Sequence, residues 1–231
     1  IAHDGSSQGD YVTGLSGGVR SIAFDPYGLY GNQMIVATNL GNIYTVSNAG
    51  VASLLTNVGE DAEGLSFAPQ NFGPYATGTL FVASEGSGSL RAITPAGAKT
   101  VIATVASAEM VSFVPLNLGS SGNPVEGFYA AAYPSNVQRA SPSEFTPYIG
   151  DAIITGETSH LVSQVHWDGS KFVVNTLGSF PAQPEDGIFV TADVINPPDL
   201  PAVPEPETWA LMLAGIAGVS VVARRRSRRQ S

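Results

Sequence analysis

Apolar positions in this chain fall in short runs divided by clusters of Gly, Asn, Asp, Ser and Pro, and no helical periodicity is sustained before residue 207. Runs of that kind read as β-strands joined by tight turns. Ser21-Ile22-Ala23-Phe24-Asp25-Pro26 recurs as Gly64-Leu65-Ser66-Phe67-Ala68-Pro69 and again as Met110-Val111-Ser112-Phe113-Val114-Pro115, placing the Phe residues 43 and 46 positions apart. A second element recurs as Met34–Thr38, Leu80–Ser84, Phe128–Ala132 and Ala152–Gly156. A period near 45 residues, with several short strands per unit, predicts an all-β chain of propeller blades.

Turn chemistry divides the units further. Asn39–Asn42 separates the second strand of the first unit from Ile43–Val46, and Ser47–Gly50 turns into Val51–Leu55; Glu85–Ser89 and Thr94–Gly97 repeat the scheme. Leu161–Trp167 and Lys171–Thr176 flank Asp168-Gly169-Ser170, a hairpin signal. Four units span residues 19–180, and Gly187–Val194 reads as the first strand of a fifth. Longer insertions at Leu29–Gln33, Gln70–Thr79 and Leu116–Gly127 follow equivalent strands and are expected on one face, where repeat proteins bind their ligands. The fold expected for residues 1–196 is a β-propeller of four to five visible blades.

The Asp25-Pro26-x-Gly28 turn followed by Ile35–Ile43 resembles NHL and related six-bladed propeller repeats. Six blades at this period need roughly 270 residues. Residues 1–200 fall short and Ile1 is not an initiator, so the expectation is a fragment or processed chain of such a ring, with a closed four- or five-bladed ring as the alternative.

After a Pro-rich linker over 197–207, Thr208–Ala223 carries no charge and ends on Arg224, Arg225, Arg226, Arg228 and Arg229. As a helix that span reaches roughly 24 Å. It predicts one short transmembrane helix within 208–231, with Trp209 at one interface, snorkelling arginines at the other and a cytoplasmic C-terminus. Pro204-Glu205-Pro206, the apolar span and the arginine cluster together resemble the PEP-CTERM sorting domain of exported Gram-negative bacterial proteins. That resemblance implies sorting by an exosortase, an integral-membrane cysteine transpeptidase, with Pro204, Glu205, Pro206, Trp209, Arg224, Arg225 and Arg226 as the signal. It implies an inner-membrane anchor before processing, then a place at the cell surface or outside, with exopolysaccharide or another surface protein as a partner.

Charge sharpens this division. Residues 1–203 hold 17 acidic against 5 basic residues, net −12, and residues 204–231 hold 2 against 5, net +3, which together give the chain's −9. An acidic body argues against nucleic acid as a partner. Without cysteine there is no disulfide, Cys-ligated zinc or thiol chemistry.

Candidate chemistry is sparse. His160 and His166 sit six apart on one expected strand, about 20 Å from each other, and His3 lies near the start, so no pair shares a metal. Glu63, Glu109 and Glu185 precede innermost strands, while Glu85 and Glu157 follow second strands where the first unit has Asn39. Stacked radially, these sets would ring a channel mouth, where Glu63, Glu109 and Glu185 are candidate Ca²⁺ ligands; the alternative is solvated turn carboxylates. Phe72, Tyr75, Tyr133, Phe145 and Tyr148 lie in or beside the long loops, as blade packing or as sugar-stacking surfaces. No phosphate-binding Gly loop, serine nucleophile elbow or metal-ligand His pair is present. The expected function is a non-enzymatic, exported binding or structural module of the extracellular matrix, needing no cofactor. The rival is a lactonase-like propeller hydrolase or lyase with a divalent cation in its channel.

Overall fold

In the computed structural model, which describes residues 9–196, the turn clusters become the corners of antiparallel sheets. Ser47 and Thr94 open equivalent turns: their carbonyls accept from Gly50 N and Gly97 N, and their hydroxyls accept from further backbone N–H groups. Gly50 and Gly97 close these turns at φ +73° and +79°. A Cβ at either position would stand 2.2 or 2.3 Å from a carbonyl oxygen of a neighbouring segment, so conformation and space both select glycine.

The first sheet contains β1 (Val19–Phe24), β2 (Met34–Thr38), β3 (Asn42–Val46) and β4 (Ala52–Asn57) in that order. The second repeats it with β5 (Leu65–Phe67), β6 (Leu80–Ser84), β7 (Ser89–Ile93) and β8 (Lys99–Thr104). β9 (Ala108–Phe113) starts the third sheet, but the chain then leaves it to form the hairpin β10 (Gly127–Ala132) and β11 (Asn136–Ala140). It returns through two short 3₁₀ turns as β12 (Ala152–Gly156), β13 (Leu161–Trp167) and β14 (Phe172–Ser179). Finally β15 (Pro184–Val190) pairs with β10 to complete a three-stranded fourth sheet, and a single helical turn, α1 (Ala192–Ile195), follows. β1, β5, β9 and β15 neighbour one another in that sequence as the innermost strands. The arrangement is all-β, four-bladed and propeller-like.

The strand pattern of the first two units is as the sequence predicts. Three expectations are corrected. Ala152–Gly156 is the second strand of the third sheet, pairing Ala152 with Phe113 and Ile154 with Val111, whereas Phe128–Ala132 belongs to an inserted hairpin. Both runs are apolar, and long-range pairing decides between them. Gly187–Val194 does not start a fifth blade: β15 joins β10 through Phe128 opposite Phe189, and the chain turns helical at Ala192. A Cβ at Gly187 would meet the Phe128 ring at 2.5 Å, so its bare backbone makes room for that ring. His160 precedes β13 at φ +56° rather than sharing a strand with His166.

Packing between sheets supplies the core. Every residue of β6 and β7 is buried, and alternate side chains serve opposite neighbours. Leu80, Val82 and Ile93 pack with Tyr30, Ile35 and Ile43 of the first unit. Phe81, Ala83, Leu90 and Ala92 pack with Phe113, Ile154 and Val165 of the third. Phe72 joins this second core, its ring 5.5 Å from Phe81 and 5.1 Å from Phe113. A third core of Val114, Phe128, Phe145, Ile153 and Phe189 fills the space between sheets three and four. Of the loop aromatics, Phe72 and Phe145 are buried, Tyr75 and Tyr148 pack partly, and Tyr133 is exposed.

The loop after β1 is organised by Asp25, which is 4% exposed. Its carboxylate accepts from the backbone N–H groups of Tyr27, Gly28, Tyr30 and Asn32 at 2.7–3.1 Å. The loop thereby holds Tyr30 over the second sheet, where the hydroxyl donates to Ile93 O and accepts from Leu80 N. Asp25→Ala orphans these donors and should cost about 3 kcal/mol, lowering Tm by about 6–12 °C in a thermal melt. An unchanged Tm would show that the loop does not depend on this carboxylate.

Candidate functional site

Antiparallel pairing determines where the chain places its carboxylates. The start of an innermost strand lies beside the end of the adjacent second strand, because the two run in opposite directions. Glu63 precedes β5 as expected, whereas Glu109 and Glu185 fall inside the first residues of β9 and β15 rather than before them. Glu63 N accordingly donates to Ala83 O, beside Glu85, and Glu157 N donates to Ser107 O, beside Glu109. The two sets of glutamates read from the sequence therefore merge at one mouth. One carboxyl oxygen from each of Glu63, Glu85 and Glu109 lies within 4.8 Å of the others. Glu185 is not in that triad, but it lines a 180 Å³ cavity together with Glu63, Glu109, Asp186 and Arg20. This cavity shares residues with a second one, of 580 Å³, walled by β1, β5, β9 and β15.

The carboxylates perturb one another strongly. Burial, then the neighbouring Glu63 carboxyl, then the charges of Glu157 and Glu85, push Glu109 up to about 9. One of its oxygens, Oε2, is buried and has no hydrogen-bond partner. Burial and the adjacent Glu85 also raise Glu157, partly offset by Gln183. The Gln183 amide links Glu157 to Glu185, donating to Oε1 of each, at 2.9 Å for Glu185. Arg20 supplies the one guanidinium that lines the mouth, and Asp61 engages it at 2.5–3.1 Å, with Glu63 at 3.6 Å. The repeat does not single out Arg20, Asp61 or Gln183; the acidic Glu60-Asp61-x-Glu63 run is the one sequence signal that would point to Asp61.

Chemically, the mouth offers hard oxygen ligands and a half-buried carboxyl that retains its proton near neutral pH. His166 lies elsewhere, with Nδ1 2.9 and 3.0 Å from the Asp151 carboxylate, whose Oδ2 also accepts from Gln164 Nε2. Among the described residues no hydroxyl bonds to its Nε2. The sorting residues Pro204, Glu205, Pro206, Trp209, Arg224, Arg225 and Arg226, like His3, the 197–207 linker and the 208–231 helix, lie outside the described residues. Among the described residues no helix is long and apolar enough to cross a membrane.

Residues 202–229 match the PEP-CTERM protein-sorting motif. The motif marks an exported protein subject to membrane-associated sorting in Gram-negative bacteria, with exosortase as the general sorting partner. No curated protein sequence matches the chain. Among solved structures, it is similar to a candidate gluconolactonase at 12% identity and a TM-score of 0.36, covering 73% of this chain and 67% of that one. It is also similar to a candidate 6-phosphogluconolactonase from Bacteroides fragilis at 12% identity and a TM-score of 0.29, covering 75% of this chain and 58% of that one.

The raised Glu109 carboxyl has a definite linkage sign. Between the ordinary carboxylate value, about 4.3, and its folded value of about 9, the native state binds more protons than the unfolded chain. Stability contributed by this group is therefore complete at the acid end and lost as pH rises through that window. Tm should fall between about pH 6 and pH 9, and Glu109→Gln should flatten the fall. A variant whose Tm tracks that of the parent across the window would remove Glu109 as the cause.

Proposed function

We propose that this chain is an exported, surface-anchored or secreted propeller-like protein acting as a non-enzymatic binding or structural module of the extracellular matrix. The observation that carries this reading is the PEP-CTERM motif at residues 202–229, joined to an all-β body. The acidic body faces the outside of the inner membrane, the arginine cluster holds the C-terminus on the cytoplasmic side, and an exosortase processes the chain near Pro204–Pro206. Exopolysaccharide or another surface protein is the partner expected at that location. Deleting Val203–Ser231 should release the body into soluble fractions, with the parent chain remaining membrane-associated when exosortase is absent. Retention of the truncated chain in the membrane fraction would sink the anchor reading.

A second reading concerns the mouth and rests on the Glu63, Glu85 and Glu109 oxygens within 4.8 Å and on the unpartnered Glu109 Oε2. These residues fit a hard divalent cation such as Ca²⁺, which takes six to eight oxygens, and Glu185 is close by in the same cavity. Such an ion would supply positive charge and a Lewis acid at the channel, which is what the hydrolase or lyase alternative would require. Without the ion, the proton on Glu109 relieves part of the same repulsion, so ion and proton compete. Calorimetric titration with Ca²⁺ should show proton release at neutral pH and a raised Tm, both lost in Glu109→Gln. Absence of heat and of any Tm change would reject the cation, and ion-dependent opening of a sugar lactone would replace the non-enzymatic reading.

A further inference from the structure

A cleft of 360 Å³ opens between the third and fourth sheets, away from the acidic mouth. Buried Phe128 and Phe145 line its depth, with ring centroids 5.2 Å apart, and the partly exposed Tyr148, Leu177 and Phe180 form its sides. Glu144 stands among them as the sole charged side chain of the lining.

Local geometry presents these groups together. Pro142 starts one 3₁₀ turn and Pro147 is the second residue of the next, Thr146–Tyr148; Phe145 N donates to Pro142 O and Tyr148 N to Phe145 O, at 2.9 and 2.8 Å. Glu144, Phe145 and Tyr148 are thus held on a short, internally bonded segment. Glu144 is bonded through its backbone N–H to Ser141 O, and among the described residues its exposed carboxylate has neither an ion pair nor a hydrogen bond. The cleft has the size of a small-ligand site, at the lower end of the range of about 300–1,000 Å³.

We infer that this cleft binds an organic cation, with an alkylammonium group against the aromatic rings and its charge facing Glu144. Aromatic faces attract cations electrostatically, more strongly where water is excluded, and a free carboxylate at the same opening adds charge complementarity. Among the described residues no Lys, Arg or His lines the cleft to receive an anion, and the net −12 of residues 1–203 repels one. A neutral sugar is a poorer match, because its hydroxyls ask for several converging polar side chains, and Glu144, Tyr148 and Ser179 are the only polar side chains of the described lining.

The test uses the full chain and ligand-observed saturation-transfer NMR. Choline is compared with 3,3-dimethylbutan-1-ol, its uncharged carbon isostere, and with glucose. Choline should bind at least about fivefold more tightly than the isostere. Glu144→Gln and Phe180→Ala should each weaken choline by about fivefold, and Asp10→Asn, which removes an exposed charge outside the lining, should change its affinity less than about twofold. Equal binding of choline and the isostere would overturn the inference, as would unchanged affinity in Glu144→Gln or displacement of choline by equimolar glucose. The isostere comparison needs no substitution, so it decides the matter even if a variant fails to fold.

Discussion

Strands β6 and β7 are buried along their whole length, and their period-two alternation sends neighbouring side chains to opposite partners. Leu80 and Val82 face the first unit while Phe81 and Ala83 face the third. These two strands have no solvated face, so the sheet they centre cannot stand alone. This sharing of cores, between sheets one and two, two and three, and three and four, governs the rest of the molecule. It aligns the innermost strands side by side, gives Phe72 and Tyr30 their positions, and fixes where the chain's carboxylates emerge. Each buried aromatic adds area and directional ring contacts to these interfaces.

The same alignment concentrates charge. Glu63 and Glu109, at equivalent places in the second and third sheets, come together as those sheets stack, and Glu85 joins them from the strand paired beside Glu63. Inter-sheet burial thus opposes the mutual repulsion of a cluster that it creates. Arg20 is occupied chiefly by Asp61 and only distantly by Glu63, so it does little to neutralise the group. Protonation of Glu109 is the response available within the protein. The peripheral cleft is different in kind: Glu144 is one isolated carboxylate beside apolar rings, with no crowding to relieve.

Much of this was legible in the sequence. The Phe24, Phe67 and Phe113 spacing marked the innermost strands, the Ser47 and Thr94 turns marked hairpins, and the equivalence of Glu63 with Glu109 pointed to one mouth. The tail was the most direct reading, since Pro204-Glu205-Pro206, an apolar span and clustered arginines occur in a specific order. What stayed hidden was pairing at long range. Phe128–Ala132 and Ala152–Gly156 are equally apolar, and their roles depend on contacts with β15 and β9 that no local pattern encodes. His160 shows a smaller limit, because its left-handed backbone moves it off the strand that its neighbours form. Glu85 joined the triad because hairpin geometry places it next to Glu63, a proximity that sequence separation conceals.

The fourth sheet has a consequence for how the molecule comes into being. Its hairpin is made before residue 141, yet the strand that holds β10 in place spans residues 184–190. The first two sheets close on contacts that are nearly local, whereas this one must wait for some fifty intervening residues, and loop-closure entropy is lost before those contacts form. A chain emerging from its N-terminal end would therefore expose the apolar side of Phe128 until the last part of the body arrives. The strand that completes the body ends only a short stretch of chain before the sorting motif begins.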